Sequence, residues 1–156
     1  MPEPAIRVAN AGEAADVADV LREAFESYRP QYTPEAFAAT TPSAEQVRQR
    51  WHEGPVWVVV HDGRIVGTVA AVPRGHALYM RSMGVRPASR GSGCGRLLVE
   101  AVERHATANG HRLVVLSTTP FLHPAIALYA RCGFARTDAG PLDLAGTPLF
   151  TMSKAL

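Results

Sequence analysis

The densest chemical signal in this 156-residue chain is the run Arg90-Gly91-Ser92-Gly93-Cys94-Gly95. Glycine recurs at every second position, which lets a backbone come close to a ligand. The apolar residues that follow, Leu97, Leu98, Ala101, Val102 and Ala106, fall at helical spacing and put the run at a helix N-terminus. Free amides and the helix dipole both favour an anion there, and a diphosphate is the natural size. A plain glycine-rich connector would read the same way, so the run alone leaves the ligand open. Two nucleotide motifs can be tested. A P-loop needs Gly-Lys-Ser/Thr, and the only lysine is Lys154, which excludes it. A dinucleotide fingerprint opens a parallel βαβ unit, whereas an antiparallel hairpin precedes this loop and argues against NAD.

The elements that must hold the loop can be read on both sides of it. Ala5 to Ala9 is a short strand, and Asn10 with Glu13 forms a capping-box pattern before an amphipathic helix carrying Val17, Val20, Leu21, Ala24, Phe25 and Tyr28. Arg29-Pro30 ends it. Thr33-Pro34 starts a short helical turn through Phe37, and Ser43 with Gln46 repeats the capping pattern before Val47 and Trp51. Val56 to His61 and Arg64 to Val72 are β-branched runs joined by Asp62-Gly63, a hairpin signature. Ala77 to Val85 is a third strand, in which Gly84 marks a bulge or a close backbone approach. After the loop and its helix, which stops at Asn109-Gly110, Arg112 to Ser117 reads as a buried strand parallel to the one before the loop. Pro124 opens a helix that Gly133 closes, and Phe134 to Thr137 and Leu149 to Ser153 are the last strands, with Asp138 to Pro148 a loop between them.

Composition narrows the class. With 47% hydrophobic and 19% charged residues the chain is globular, and one domain over residues 1–156 is expected. The +2 charge comes from scattered arginines, which gives nucleic-acid binding no support. Cys94 and Cys132 lack CxxC spacing, so neither a metal site nor a disulfide is expected. No apolar stretch approaches the ~20 residues of a membrane span, and no targeting segment is recognisable, so a soluble, unprocessed cytoplasmic protein is expected.

Two stretches together resemble a known family, the GCN5-related N-acetyltransferases, over nearly the whole chain. The first is Met83-Gly84-Val85-Arg86-Pro87 followed by Arg90-x-x-Gly93-x-Gly95 and Leu97-Leu98. The second is Ala125 to Phe134, a helix ending in Tyr129-x-x-x-Gly133-Phe134. The resemblance implies an α/β fold of mixed α+β kind: a central, mostly antiparallel sheet of six to seven strands, flanked by about four helices, with the fourth and fifth strands splayed apart. It implies acetyl-CoA as cosubstrate, with no metal, and direct transfer of the acetyl group to an amine. Backbone groups of Met83 and Val85 would pair with the pantetheine arm, and the amides of Arg90, Gly91, Ser92, Gly93, Cys94, Gly95 and Arg96 would hold the pyrophosphate. An acyl-cysteine at Cys94 is not expected, since the loop faces the diphosphate rather than the acetyl group.

The resemblance gives Tyr129 the position whose hydroxyl meets the leaving sulfur. A free tyrosine near 10 and a thiol near 8.5 make full proton donation uphill by roughly 2 kcal/mol, so hydrogen bonding in the transition state is the expected role. A frequent family glutamate falls at Tyr79 and a frequent asparagine at Leu122, both departures from the pattern. Proton removal from the amine is then left to His123, His76, Tyr79 through water, or an acceptor of low pKa. The acceptor would lie among Ser27 to Phe37, Phe121 to His123 and Asp138 to Pro148, and is an amine-bearing small molecule or protein. No acidic or basic groove can be assembled from the sequence. The resemblance also allows a homodimer. An acyl-CoA-binding module without turnover is the alternative reading, and a protein using the loop for ATP or NAD a remote third.

Overall fold

The computed structural model describes residues 3–156, so Met1 and Pro2 of the expected domain lie outside it. The first strand, β1 (Ala5–Val8), leads through a tight 3₁₀ turn into α1 (Ala14–Phe25). The Asn10–Glu13 capping box is present but caps that turn, one step before the α-helix proper. A further 3₁₀ stretch, Glu26–Gln31, carries the chain through Pro30 to α2 (Pro34–Thr40), whose first turn is capped by Thr33 Oγ1 accepting from the Ala36 amide. Ser43 and Gln46 cap α3 (Ala44–Arg50) reciprocally, as their spacing predicts.

Strands β2 (Val56–His61) and β3 (Arg64–Arg74) form the expected hairpin, with Asp62 and Gly63 both at positive φ. Next come β4 (Ala77–Val85), α4 (Cys94–Ala108), β5 (Leu113–Thr118), α5 (His123–Arg131) and β6 (Ala135–Thr137). The expected loop 138–148 contains a small hairpin, β7 (Asp143–Leu144) and β8 (Thr147–Pro148), before β9 (Phe150–Ala155). Its turn residues Ala145 and Gly146 are both left-handed, and Asp143 Oδ2 accepts from the Gly146 amide at 3.0 Å. The hairpin is fastened to the start of α2: the Thr33 amide donates to Thr147 Oγ1 at 3.0 Å, and Thr33 Oγ1 donates to the Ala145 carbonyl at 2.7 Å.

The main sheet is seven-stranded in the order β1-β2-β3-β4-β5-β9-β6, antiparallel except between β4 and β5. Five α-helices accompany it among the described residues, the short α2 being the helical turn read at Thr33-Pro34. Helices α1 and α3 cover one face, where Val17, Leu21 and Val47 pack on Val58, Ile65 and Ala70. Helix α4 covers the other through Leu98, Val99 and Val102, packed with Val69, Leu78, Met80, Val114 and Leu116. Each fully buried aliphatic side chain of this kind stabilises the fold by about 1.5–3 kcal/mol relative to exposure.

One strand pair is incomplete. β4 and β5 are in register only at Ala77 with Leu113, Leu78 with Val114, and Tyr79 with Val115. Past Tyr79 the two strands part. On its other side β4 also breaks step: Thr68 pairs with Gly84 but Ala70 with Arg81, so Val69 faces two residues, and Ser82 takes φ 52°. The expected irregularity at Gly84 is thus shared between two places. The bulge sits at Ser82–Met83, and Gly84 is the close approach, since a Cβ there would stand 3.1 Å from the Ala24 Cβ and 3.2 Å from Leu21 Cδ2. Arg86, buried just beyond β4, ties the strand end to its surroundings by donating from Nε to the Ile65 carbonyl at 2.9 Å and pairing with Glu23. Gly84→Val drives branched methyls into α1 and is expected to cost about 3 kcal/mol by urea unfolding, with Gly84→Ala costing roughly 1.

Candidate active site

The parting of β4 from β5 opens a cleft of about 380 Å³. Its walls are the end of α1, the free part of β4, the glycine loop and the outward turns of α5. Of the sequence candidates, Met83, Val85, Arg90, Gly91, Gly93, Cys94, Gly95, Arg96 and Tyr129 all line it. Ser92 is in the loop but not in the lining, its hydroxyl being turned to the Ser89 carbonyl.

The loop is built by backbone handedness. Gly91 and Gly93 adopt φ 80° and 86°, and Gly93 is the N-cap of α4. The first bond into the helix runs from the Leu97 amide to the Gly93 carbonyl at 3.1 Å, so the amides of Cys94, Gly95 and Arg96 have no intrahelical acceptor. Arg90 is held by its Nη2 donating to the Ala24 carbonyl at 2.8 Å, which fixes the loop to the end of α1. Cys94 is buried with its sulfur 3.1 Å from Ser92 Oγ. Gly95 lets the loop pass under α5: a Cβ there would lie 2.6 Å from Leu128 Cδ2.

Arg90, Arg96 and Arg131 line the cleft, and among the described residues no aspartate, glutamate or histidine does. The cleft is therefore electropositive by side chain and by helix dipole together. Tyr129, at 7% exposure, stands at its inner end with the hydroxyl directed at Met83 Sδ, 3.7 Å away. Burial pushes the Tyr129 hydroxyl far above the ordinary tyrosine range, with Cys132 and Tyr32 adding to the shift, so the group is a proton donor and not a base at any working pH.

The structure does not bring the remaining candidates to the cleft. Tyr79 occupies the last paired position of β4, with the Arg74 guanidinium 4.1 Å above its ring. His123 is exposed at the start of α5, outside the lining, and His76 is exposed in the β3–β4 turn at the opposite end of the sheet strand. Tyr28 and Leu122, from the segments expected to meet the acceptor, also line the cleft, and so do Phe25 and Leu128, which were not singled out as wall residues. Their signal in the sequence is only apolar periodicity, which does not distinguish a cleft wall from a core.

The comparisons with known proteins agree with this geometry. The sequence model of the Acetyltransferase (GNAT) family matches residues 17–134. An uncharacterised N-acetyltransferase of Escherichia coli, YjgM, is 34% identical over 86 residues, covering 53% of this chain and 52% of that protein. N-acetylaspartate synthetase of Danio rerio is 38% identical over 82 residues, 51% of this chain and 29% of its own. The match thus spans about half of the first relative and less of the other. Among solved structures, the PaiA N-acetyltransferase of Thermoplasma acidophilum in complex with coenzyme A superposes with a TM-score of 0.84 at 16% identity, covering 99% of this chain and 100% of that one. A GCN5-related N-acetyltransferase of Rhodopseudomonas palustris gives 0.79 at 23%, covering 100% and 98%. A sheet that opens between its one parallel pair, a left-handed glycine loop capping α4, and a family match across most of the chain place this protein in the GNAT acetyltransferase family.

Proposed function

We propose that this chain is a single-domain acetyl-CoA-dependent N-acetyltransferase that moves the acetyl group directly to an amine. The observation that carries the reading is the continuity of the cleft from the unpaired amides of Cys94 to Arg96, along the free part of β4, to the Tyr129 hydroxyl. A diphosphate matches the loop amides and the cations Arg96 and Arg131, while backbone groups of Met83 and Val85 are available to an extended pantetheine arm. The residues present fit the cosubstrate, which supplies the activated acyl group. Tyr129 then donates a hydrogen bond to the departing sulfur; its raised pKa makes full proton transfer still less favourable than for a free tyrosine. No enzyme-bound acyl group is needed, and Cys94 remains a small buried residue. Two unpaired, buried thiols suit a reducing cytosolic compartment.

With no histidine or carboxylate in the lining among the described residues, and Tyr79 held away from it under Arg74, proton removal from the amine falls to solvent. A primary ammonium near pKa 10 is about one part in a thousand neutral at pH 7, a handicap of roughly 4 kcal/mol. The same observation favours a second reading, a module of this fold that binds acyl-CoA without turnover. Thiol release from acetyl-CoA over a panel of amines, with the product identified by mass, separates the two. Tight coenzyme A binding with no release at any pH from 6 to 9 selects the module.

Two further outcomes are expected of the enzyme. Tyr129→Phe lowers kcat by about 10- to 100-fold with the KM for acetyl-CoA within about three-fold, and full turnover in that variant rules out the tyrosine's role. The activity of the unmodified chain toward a primary amine rises about ten-fold per pH unit from 7 to 9, because only the neutral amine attacks, and it shows no falling limb from Tyr129 below pH 10. A plateau beginning below pH 8 would reveal an internal base. Separately, Gly95→Ala pushes Leu128 into the cleft and is expected to weaken coenzyme A binding by about ten-fold in a calorimetric titration, with little loss of thermal stability because a flexible side chain yields.

A further inference from the structure

Two aromatic side chains approach β4 from opposite faces where the cleft opens. The Tyr129 hydroxyl meets Met83 Sδ at 3.7 Å, whereas a Cβ at Gly84 would stand 3.7 Å from Phe25 Cε2. Neighbouring residues of a strand face opposite ways, so one side of the cleft lies with Met83 and Val85 and the other with Gly84 and the end of α1. Phe25 and Tyr28 form that second wall, and both are half-buried, with part of each side chain open. The wall is braced from behind. The Tyr28 ring lies 6.1 Å from Phe121, which meets the Tyr32 ring edge-on at 4.9 Å, and Tyr32 in turn lies 5.9 Å from Phe37. The Arg29 guanidinium closes the row, 4.4 Å over the Phe37 ring.

The charge along the cleft disfavours an ammonium. Arg90, Arg96 and Arg131 line it, with no aspartate, glutamate or histidine among the described residues. The two carboxylates nearest this wall in sequence are engaged elsewhere, Glu23 by Arg86 and Glu26 by Arg29, and neither reaches the lining. Asp138 and Asp143 are exposed outside it, and Asp143 holds the Gly146 amide. A primary alkylamine is almost wholly cationic at pH 7, so this cleft offers it neither a counter-ion nor a base. An amine attached directly to an aromatic ring differs on both counts. Delocalisation of its lone pair keeps it neutral at pH 7, and its flat ring packs against aromatic side chains in offset or edge-on contact.

Building on the acetyltransferase reading, we propose that the acceptor is a weakly basic aromatic amine, an arylamine, whose ring lies against Phe25 and Tyr28 while its nitrogen faces the acetyl group on the Met83 side of β4. The amine nitrogen attacks the thioester carbonyl carbon, forming the amide C–N bond as the C–S bond breaks, and Tyr129 hydrogen-bonds the departing thiolate. One N–H proton passes to solvent after attack, when the nitrogen carries positive charge and is strongly acidic, and solvent protonates the thiolate. The products are the N-aryl acetamide and coenzyme A. Such an acceptor needs no base before attack, in keeping with a lining that presents none among the described residues. Tyr28 sets specificity in this scheme without touching the reacting sulfur.

Four amines that vary ring and basicity independently test this: aniline, aromatic and weakly basic; benzylamine, aromatic and strongly basic; trifluoroethylamine, weakly basic without a ring; and cyclohexylamine, strongly basic and saturated. Each is given to the full chain with acetyl-CoA, and thiol release and the acetylated product are followed from pH 6 to 9. At pH 7 the kcat/KM for aniline is expected to exceed that of each other amine by about ten-fold and to stay within about two-fold across the range, while the benzylamine rate climbs with pH. Tyr28→Ala should raise the KM for aniline by about ten-fold with kcat within about three-fold, and Tyr28→Phe should keep the wild-type KM. Any of the other three amines matching aniline at pH 7, or an unchanged aniline KM in Tyr28→Ala, overturns the proposal. The wild-type ratios decide alone if Tyr28→Ala does not fold. Coenzyme A titrated by itself separates the two readings: its binding with turnover of another amine in preference sinks only the arylamine assignment. Failure to bind it, or binding with no thiol release from any amine of the wider panel, sinks the transferase reading and the assignment together.

Discussion

The parting of β4 from β5 after three register pairs is the constraint from which the rest of the site follows. A parallel pair that continued to the end of both strands would bury their backbone groups in each other and leave no path through the sheet. The bulge opposite Val69 and the left-handed Ser82 turn β4 away, and the packing of Gly84 on α1 together with Arg86 on Glu23 and the Ile65 carbonyl holds it there. The opening is built from several independent contacts.

The two sides of the opening differ in chemistry. On the loop side, cations and helix amides face a groove whose only buried phenol is a permanent donor. On the α1/α3 side, hydroxyls and guanidiniums outnumber the carboxylates available to them. The loop side attracts negative charge through oriented backbone, which tolerates many side chains.

What was legible in the sequence was what depends on neighbours in the chain. The Ser43–Gln46 capping box, the Asp62-Gly63 hairpin, the glycine loop ahead of Leu97 and Leu98, and the Pro124 to Gly133 helix are set by local backbone preferences, and each is found near its expected bounds. The β7–β8 hairpin was missed because strands of two residues, one of them ending in Pro148, carry no alternation; contacts with Thr33 define it. The Arg81–Glu53 pair with Arg50 beside it was missed for a similar reason: these residues lie on β4, just past α3 and on α3, and only tertiary packing brings them together. Tyr79 under Arg74 and the exposure of His123 likewise follow from strand register and helix orientation, which residue type does not encode.

The fastening of the β7–β8 hairpin to Thr33 has a consequence for how this protein can be remodelled. Thr147 and Ala145 bond the same residue that caps α2, so the hairpin and the aromatic cluster of Tyr32, Phe37 and Phe121 share one anchor. The two segments behave as a single inheritable unit: a hairpin transplanted from a relative brings its own partner geometry and loses its hold unless residues 32 to 37 travel with it. Diversification of this region is therefore expected to proceed by paired changes in both segments rather than by drift in one.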